Sequence, residues 1–312
     1  MNHTLSIKSM AILLCLVLSP GVGLPLRASA ATAQTTFATP QAAADALITA
    51  ADKWDVRALE ALFGPEGKDI IHSGEPGRDR EIAKQFADQA HTKMDVAIDP
   101  TTKRRAFINV GSDDWPFPVP IVKSADGRWS FDPKAGLHEI LTRRIGRNEL
   151  DAIDILRGFV DAQDEYADTK HGNSHVNQYA QQIISSPGKQ DGLAWQNPDG
   201  SWAGPIGEEV ARAIQRGFVN GQPYHGYYFR VLKGQGPDAP LGQMDYLVNG
   251  AMIGGFALIA FPAEYRNTGV MTFIVSNDGV VYQKDLGPNT VDIAKKIDRF
   301  NPDKTWTPVA EE

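Results

Sequence analysis

The sequence predicts an α+β protein, with helices and antiparallel sheets segregated along the chain. Three observations carry this. Apolar residues recur three or four apart between Phe37 and Ala90, and then cluster in short β-prone runs from Met94 to Phe131. Beyond them a long helical pattern, Leu137 to Tyr166, gives way to a second β-rich stretch. The composition is that of a folded globular chain, since 42% of the 312 residues are hydrophobic and 22% charged, and the length suggests about two domains. A formal charge of −7 argues against a nucleic-acid partner, because phosphate binding is driven by Lys and Arg displacing counterions. A single cysteine excludes a disulfide scaffold and a Cys-based zinc site.

Residues 1–30 read as a cleaved secretory signal peptide. Lys8 precedes an apolar run, Met10–Leu18, which is followed by Pro20, Gly21, Gly23 and Pro25 and then by Ala28-Ser29-Ala30. The run is nine residues long, short of the roughly 20 that span a bilayer. Cys15 follows Leu13-Leu14, where a lipoprotein site wants a small residue. Cleavage near Ala30 leaves 282 residues, a charge of −9 and no cysteine. The expectation is a periplasmic or secreted protein with no stable membrane anchor.

Each later element has a local signal. Thr39 caps a helix over Ala42–Ala51 with Pro40 in its first turn, and Asp55 caps a short helix carrying Leu59, Leu62 and Phe63 that ends at Gly64-Pro65. Arg80–Ala90 is a third helix. Strands follow at Met94–Ile98, Arg105–Val110, Val119–Val122 and Trp129–Phe131, the last two joined by Ser124-Ala125-Asp126-Gly127. In Trp115-Pro116-Phe117-Pro118 the prolines keep the chain extended. The long helix places Leu141, Leu150, Ile153, Leu156, Phe159, Val160 and Tyr166 on one side, with Glu139/Arg143 and Arg147/Asp151 as i,i+4 pairs. Gly146 is expected to bend or break it, which puts the junction between the two halves near Arg147. A loop-heavy middle, Lys170 to Gly207, leads to a helix at Glu208–Gln215 and strands at Gly226–Leu232, Ala251–Phe261, Val270–Ser276 and Val280–Lys284. Thr290 caps a final helix, Val291–Phe300. The chain thus divides into a leader (1–30), an N-terminal α+β unit (37–136) and a unit entered through the long helix (137–312).

The layout of the N-terminal unit, ending in a Gly-x-Trp-x-Phe-Asp strand, resembles the cone-like nuclear-transport-factor-like and cystatin-like folds. Asn148-Glu149, Ile153 to Arg157, and then Gln163 and Tyr166 resemble the start of the globular part of type IV pilin-like and pseudopilin-like proteins. Gly226–Phe229, Ala257–Pro262, Thr268-Gly269, Phe273 and Asp278-Gly279-Val280 extend that likeness. It implies a long helix packed on an antiparallel sheet. Upstream of Asn148, where a pilin carries a membrane-spanning half-helix, this chain has Leu141-Thr142-Arg143-Arg144-Ile145-Gly146-Arg147. Ordinary pilus polymerisation is therefore not expected. The chain as a whole, through Trp115–Pro118, Arg143–Leu150 and Asp278–Tyr282, resembles an exported bacterial family known as domain of unknown function 2950, a name that implies no activity.

Candidate chemistry is sparse. His171 and His175 stand four apart, but Gly172-Asn173-Ser174 between them predicts a solvated loop, not a helical metal face. Gly234-Gln235-Gly236 precedes Pro237 and Pro240, so a hairpin loop is expected in place of a phosphate cradle. Asp113-Asp114 and Asp278 read as turn residues. No catalytic, cofactor-binding or metal-binding residue is assigned, and no cofactor is expected. The candidate interaction surface is aromatic: Trp115, Tyr224, His225 and Tyr228, with Tyr227 and Phe229 turned to the core by strand alternation. These residues suit an envelope protein or a glycan as partner. The expected function is an exported, soluble, non-enzymatic binding or assembly protein of the cell envelope. The alternative is a periplasmic hydrolase or small-ligand carrier with its site in the N-terminal unit or at the junction.

Overall fold

A computed structural model describes residues 34–310 apart from 73–75, 173, 209 and 215–221. The protein is α+β and has two hydrophobic cores, one drawn from residues 43–131 and one from residues 152–306. The predicted leader, Cys15 included, lies outside the described residues. Among the described residues no helix is long and apolar enough to cross a membrane.

The first core lies between helices and a five-stranded antiparallel sheet. Helix α1 (Pro40–Asp52) begins as its sequence dictates: the Thr39 side chain accepts from the Ala42 N–H, and Pro40 fills a position whose own N–H needs no partner. Asp55 does the same for α2 (Val56–Phe63) through Ala58. A single 3-10 turn and the four-residue α3 (Lys68–Ile71) lead to α4 (Pro76–Thr92), which packs on α1. Strands β1 (Met94–Ile98), β2 (Arg105–Val110), β4 (Ile121–Lys123) and β5 (Trp129–Phe131) pair in that order, with β3 (Trp115–Pro116) on the end of β2.

Helix α5 (Pro133–Ala167) runs unbroken for 35 residues, so Gly146 does not end it. A glycine costs a helix interior only about 1 kcal/mol relative to alanine, which 34 other residues absorb. Its first turn is buried in the N-terminal half at Pro133 and Gly136; from Ala152 onward it presents Ile153, Leu156, Phe159 and Tyr166 to the second core. Leu150, predicted to join that stripe, is 57% exposed. At 3.6 residues per turn it falls on the face of Asp154, Arg157 and Asp161, all exposed.

The second core packs α5 on an antiparallel meander, β17 (Thr307–Pro308), β16 (Tyr282–Asp285), β15 (Met271–Ser276), β14 (Ala257–Pro262) and β9 (Tyr227–Leu232). Every residue of β14 is buried. The predicted strand Ala251–Phe261 is two strands, β13 (Ala251–Met252) and β14. Gly254 and Gly255 interrupt it, and Gly255 at φ +134° lies so close to the Tyr246 ring that a Cβ would stand 2.9 Å from it. β13 pairs with β12 (Leu247–Val248), and β10 (Gly234–Gln235) pairs with β11 (Met244–Asp245). Gly234-Gln235-Gly236 is thus a strand pair and the start of its loop. The final helix, α6 (Thr290–Ala294), is shorter than predicted and starts one residue earlier: Asn289 is its N-cap, and Thr290 Oγ1 donates to the Gly287 carbonyl.

The stretch predicted to be loop, 170–207, contains a third small sheet. β6 (Gln182–Ile184) runs parallel to β7 (Gly192–Gln196), and β7 forms an antiparallel hairpin with β8 (Trp202–Ala203). Residues 208 and 210–214 are helical, as predicted, while Gln215 lies outside the described residues.

Candidate functional site

The strand of Trp115-Pro116-Phe117-Pro118 stops at Pro116, and Trp115 and Phe117, which unbroken alternation would place on one face, turn opposite ways. Phe117 turns inward onto Phe86, with ring centres 4.9 Å apart, and onto Phe63 and Phe131 at 6.4 and 6.5 Å. Trp115 turns outward and is 44% exposed. It is not free to wander. The Arg143 guanidinium lies 5.3 Å from its ring centre, donates to the Pro116 carbonyl at 2.7 Å and holds the Glu139 carboxylate at 2.8 Å. The predicted Glu139/Arg143 helix pair is thus present, but its larger consequence is a cation–π contact worth about 0.5–1 kcal/mol at an exposed site.

Trp115 stands at the rim of an open groove of about 470 Å³, between α4 and the β2–β3 turn, with Ile82, Phe86, Gln89 and Val110 among its lining. The turn is tied to α4: the Gly111 N–H donates to the Lys93 carbonyl at 3.0 Å, and Lys93 Nζ lies 2.7 Å from Asp114. Asp113-Asp114 therefore forms a turn, with Asp114 at φ +52°. Beneath the groove an apolar hollow of about 240 Å³ shares Ile82 and Phe86 and is lined also by Leu47, Leu59, Phe63 and Phe117. Asp79, 8% exposed, lies among these residues. On the far side of Pro116 a third hollow, of about 430 Å³, includes Phe107, His138 and Arg143.

The other three candidate residues lie in the second half. Tyr224 and Tyr227 exchange backbone hydrogen bonds across His225 at φ +48° and Gly226 at φ +76°, two positive φ values that mark a type I′ turn. The turn puts His225 at the surface, where Nδ1 meets Asp151 Oδ2 at 2.6 Å. Asp151 thus pairs with His225 and not with Arg147 as predicted. Tyr227 is buried, as alternation requires. Tyr224 and Tyr228 pack partly buried against the second core, Tyr228 with its ring 5.7 Å from Phe261. The four candidates do not converge: Trp115 is an open anchor on one half, whereas Tyr224 and Tyr228 are largely packing.

Asn148, Glu149, Gln163 and Tyr166 anchor α5 to its surroundings. Asn148 Nδ2 donates to the Thr268 carbonyl at 2.8 Å, and Glu149 Oε1 accepts from the Val270 and Met271 N–H groups at 2.8 and 3.0 Å. Gln163 holds Ala180, and the Tyr166 hydroxyl donates to the Gln190 carbonyl. Burial pushes the Tyr166 phenol up to about 12, with the Asp191 charge adding to it. Burial, then the Glu149 charge, raises Tyr227 further. His171 stacks on Tyr166 at 3.8 Å with Nε2 2.7 Å from its carbonyl, and His175 is exposed on the loop. Among the described residues no group of three or more His, Cys, Asp or Glu side chains is placed to hold a metal ion.

The sequence pairs Arg143 with Glu139 along the helix, and its contact with Trp115, from a distant strand, carries no local signal. A family model described as "Protein of unknown function (DUF2950)" matches residues 34–309. No curated protein and no solved structure matches the chain.

Proposed function

The chain belongs to the DUF2950 family, and from that premise we propose that it is an exported, soluble, non-enzymatic binding or assembly protein of the cell envelope that seats its partner in the groove beside Trp115. The observation that carries this reading is the state of that tryptophan: 44% exposed, yet fixed over Arg143 at 5.3 Å. An aromatic side chain held in place before binding loses little entropy on docking, which is what a binding anchor requires. Ile82, 53% exposed, extends the apolar rim. In the second half, α5 on an antiparallel meander supports a pilin-like module. Arg143, Arg144 and Arg147 stand where such a protein would have its membrane half-helix.

The test is recovery of envelope components on the purified protein by crosslinking, repeated with Trp115→Ala and Tyr228→Ala. Loss of the crosslinked species with Trp115→Ala is the expected result; recovery indifferent to Trp115 overturns the reading. Export is checked separately by mass spectrometry of the protein from cells, where a mature N-terminus near residue 31 is expected and Met1 refutes it.

The apolar hollow favours a second reading, a small-ligand carrier, because Leu47, Leu59, Phe63 and Phe117 surround about 240 Å³ with few polar groups. Enhanced fluorescence of an anilinonaphthalene probe, abolished by Leu59→Trp, supports the carrier; no enhancement removes it.

A further inference from the structure

The five-stranded sheet of the N-terminal half has two edges, and only one is covered. At β5 the Phe37 N–H donates to the Trp129 carbonyl at 2.7 Å, and the Phe37 carbonyl accepts from the Trp129 N–H at 2.8 Å. At β1, among the described residues, no strand, bridge or backbone hydrogen bond reaches the side turned away from β2. The groups left open there can be named. The Asp99 N–H donates to the Arg105 carbonyl and the Gly111 N–H to the Lys93 carbonyl, and antiparallel hydrogen bonds fall on alternate residues. Lys93, Asp95, Ala97 and Asp99 therefore direct their backbone groups to β2, while Met94, Val96 and Ile98 turn theirs to the open edge.

An open edge normally carries a lysine, a proline or a bulge that stops other strands from pairing with it. β1, Met-Asp-Val-Ala-Ile, has none of the three, and its register with β2 runs unbroken from Met94↔Val110 to Ile98↔Ala106. Its apolar side is also incomplete: Ile98 shares the core side with Met94 and Val96, opposite the fully buried Ala106, yet is 49% exposed. The residues select what fits beside them. When β1 is paired antiparallel with itself about a two-fold axis at Val96, Met94 falls opposite Ile98, Asp95 opposite Ala97 and Lys93 opposite Asp99. No like charges oppose, the apolar residues meet on the core side, and every backbone group that the edge leaves open finds a partner. Lys93 also holds Asp114 of its own chain at 2.7 Å, and the register does not depend on it. The neighbouring registers fail. An axis at Asp95 sets that carboxylate against itself, and one at Ala97 sets Asp95 against Asp99 and Met94 against Pro100, which has no N–H.

We propose that β1 pairs antiparallel with β1 of a second copy of this chain about a two-fold axis at Val96, joining two five-stranded sheets into one. The cover that Ile98 lacks within one chain comes from Met94 of the partner subunit. No residue of β1 lines the groove beside Trp115, so the Trp115→Ala variant dimerises as the parent does.

Sedimentation equilibrium of the purified chain from about 1 to 100 μM, a range suited to the modest affinity of a single strand edge, tests this. The mass is expected to rise with concentration from that of one chain to that of two. Ala97 is exposed and its backbone groups face β2, so charge placed on its side chain leaves the fold intact. Ala97→Asp sets a carboxylate opposite the partner's Asp95 twice in each dimer and is expected to weaken association by about fivefold, whereas Ala97→Lys sets an ammonium there and is expected to strengthen it by about as much. Opposite shifts from one exposed position are what this register alone requires. A single-chain mass at every concentration, association indifferent to both charges, or both variants shifting the same way overturns the proposal.

Discussion

Gln163 and Ala180 form a closed hydrogen-bonded pair inside the second core: Nε2 donates to the Ala180 carbonyl at 2.9 Å while Oε1 accepts from the Ala180 N–H at 2.8 Å. Both residues are 0% exposed. The amide thus imitates the partner strand that Ala180 lacks, and it fastens the segment after α5 to the helix. Gln163→Ala strands a buried N–H and a buried C=O together, at a cost of roughly 2–4 kcal/mol. Urea denaturation of the variant checks it; a loss below about 0.5 kcal/mol, within the range of ordinary surface substitutions, refutes the account.

Two glycines of α5 separate sterics from propensity. An alanine Cβ at Gly136 would stand 2.6 Å from Val119 Cγ2, and Val119 is fully buried, whereas at Gly146 it meets nothing within 4 Å. Gly136→Ala is expected to destabilise by about 1–3 kcal/mol through overpacking. Gly146→Ala is expected to stabilise by about 0.5–1 kcal/mol. Thermal melting of both should move in opposite directions.

Three tyrosines set an alkaline limit. Burial raises Tyr166, Tyr227 and Tyr246, helped by the charges of Asp191, Glu149 and Asp278 in turn. In the unfolded chain these phenols ionise near pH ~10, so above that the folded state holds more protons than the unfolded one. Their contribution is complete below about pH 10 and is lost as pH rises through the folded values, about 12 for Tyr166. Denaturation midpoints measured from neutral to strongly alkaline pH should fall in that window, and Tyr166→Phe should flatten part of the fall. An unchanged slope in that variant would falsify the assignment.

Trp115 and Tyr228 should respond differently to truncation. Trp115→Ala removes an exposed ring and one cation–π contact, so less than about 1 kcal/mol of stability is at stake. Tyr228→Ala empties a partly buried site against Phe261 and should cost about 1–3 kcal/mol. Equal losses in paired denaturation curves would contradict the division between anchor and packing residue.

The features legible in the sequence are those written in local chemistry. Thr39-Pro40, Asp55 and the Ser124–Gly127 turn act within four residues, and each stands where predicted. The extended backbone at Trp115–Pro116 was legible because prolines hold the residues before them out of helix. What escaped depends on distant partners. β6 and β7 pair in parallel because α5, through Gln163 and Tyr166, holds the segments around Ala180 and Gln190, and no periodicity in 170–207 announces that. The same holds for Arg143 on Trp115.

Between Gly136 and Ala152 no residue of α5 is buried, yet both flanks of that stretch are locked into separate cores. This stretch therefore acts as a phase keeper. One residue inserted there would turn the C-terminal core by about 100° about the helix axis relative to the N-terminal core and shift it about 1.5 Å. Seven residues would restore the phase to within roughly 20° while lengthening the strut by about 10 Å. Length variation in this stretch is thus quantised: a single insertion between Arg143 and Asn148 leaves Arg143 on Trp115 and Asp151 on His225 but turns one half against the other, whereas a heptad there nearly restores their phase.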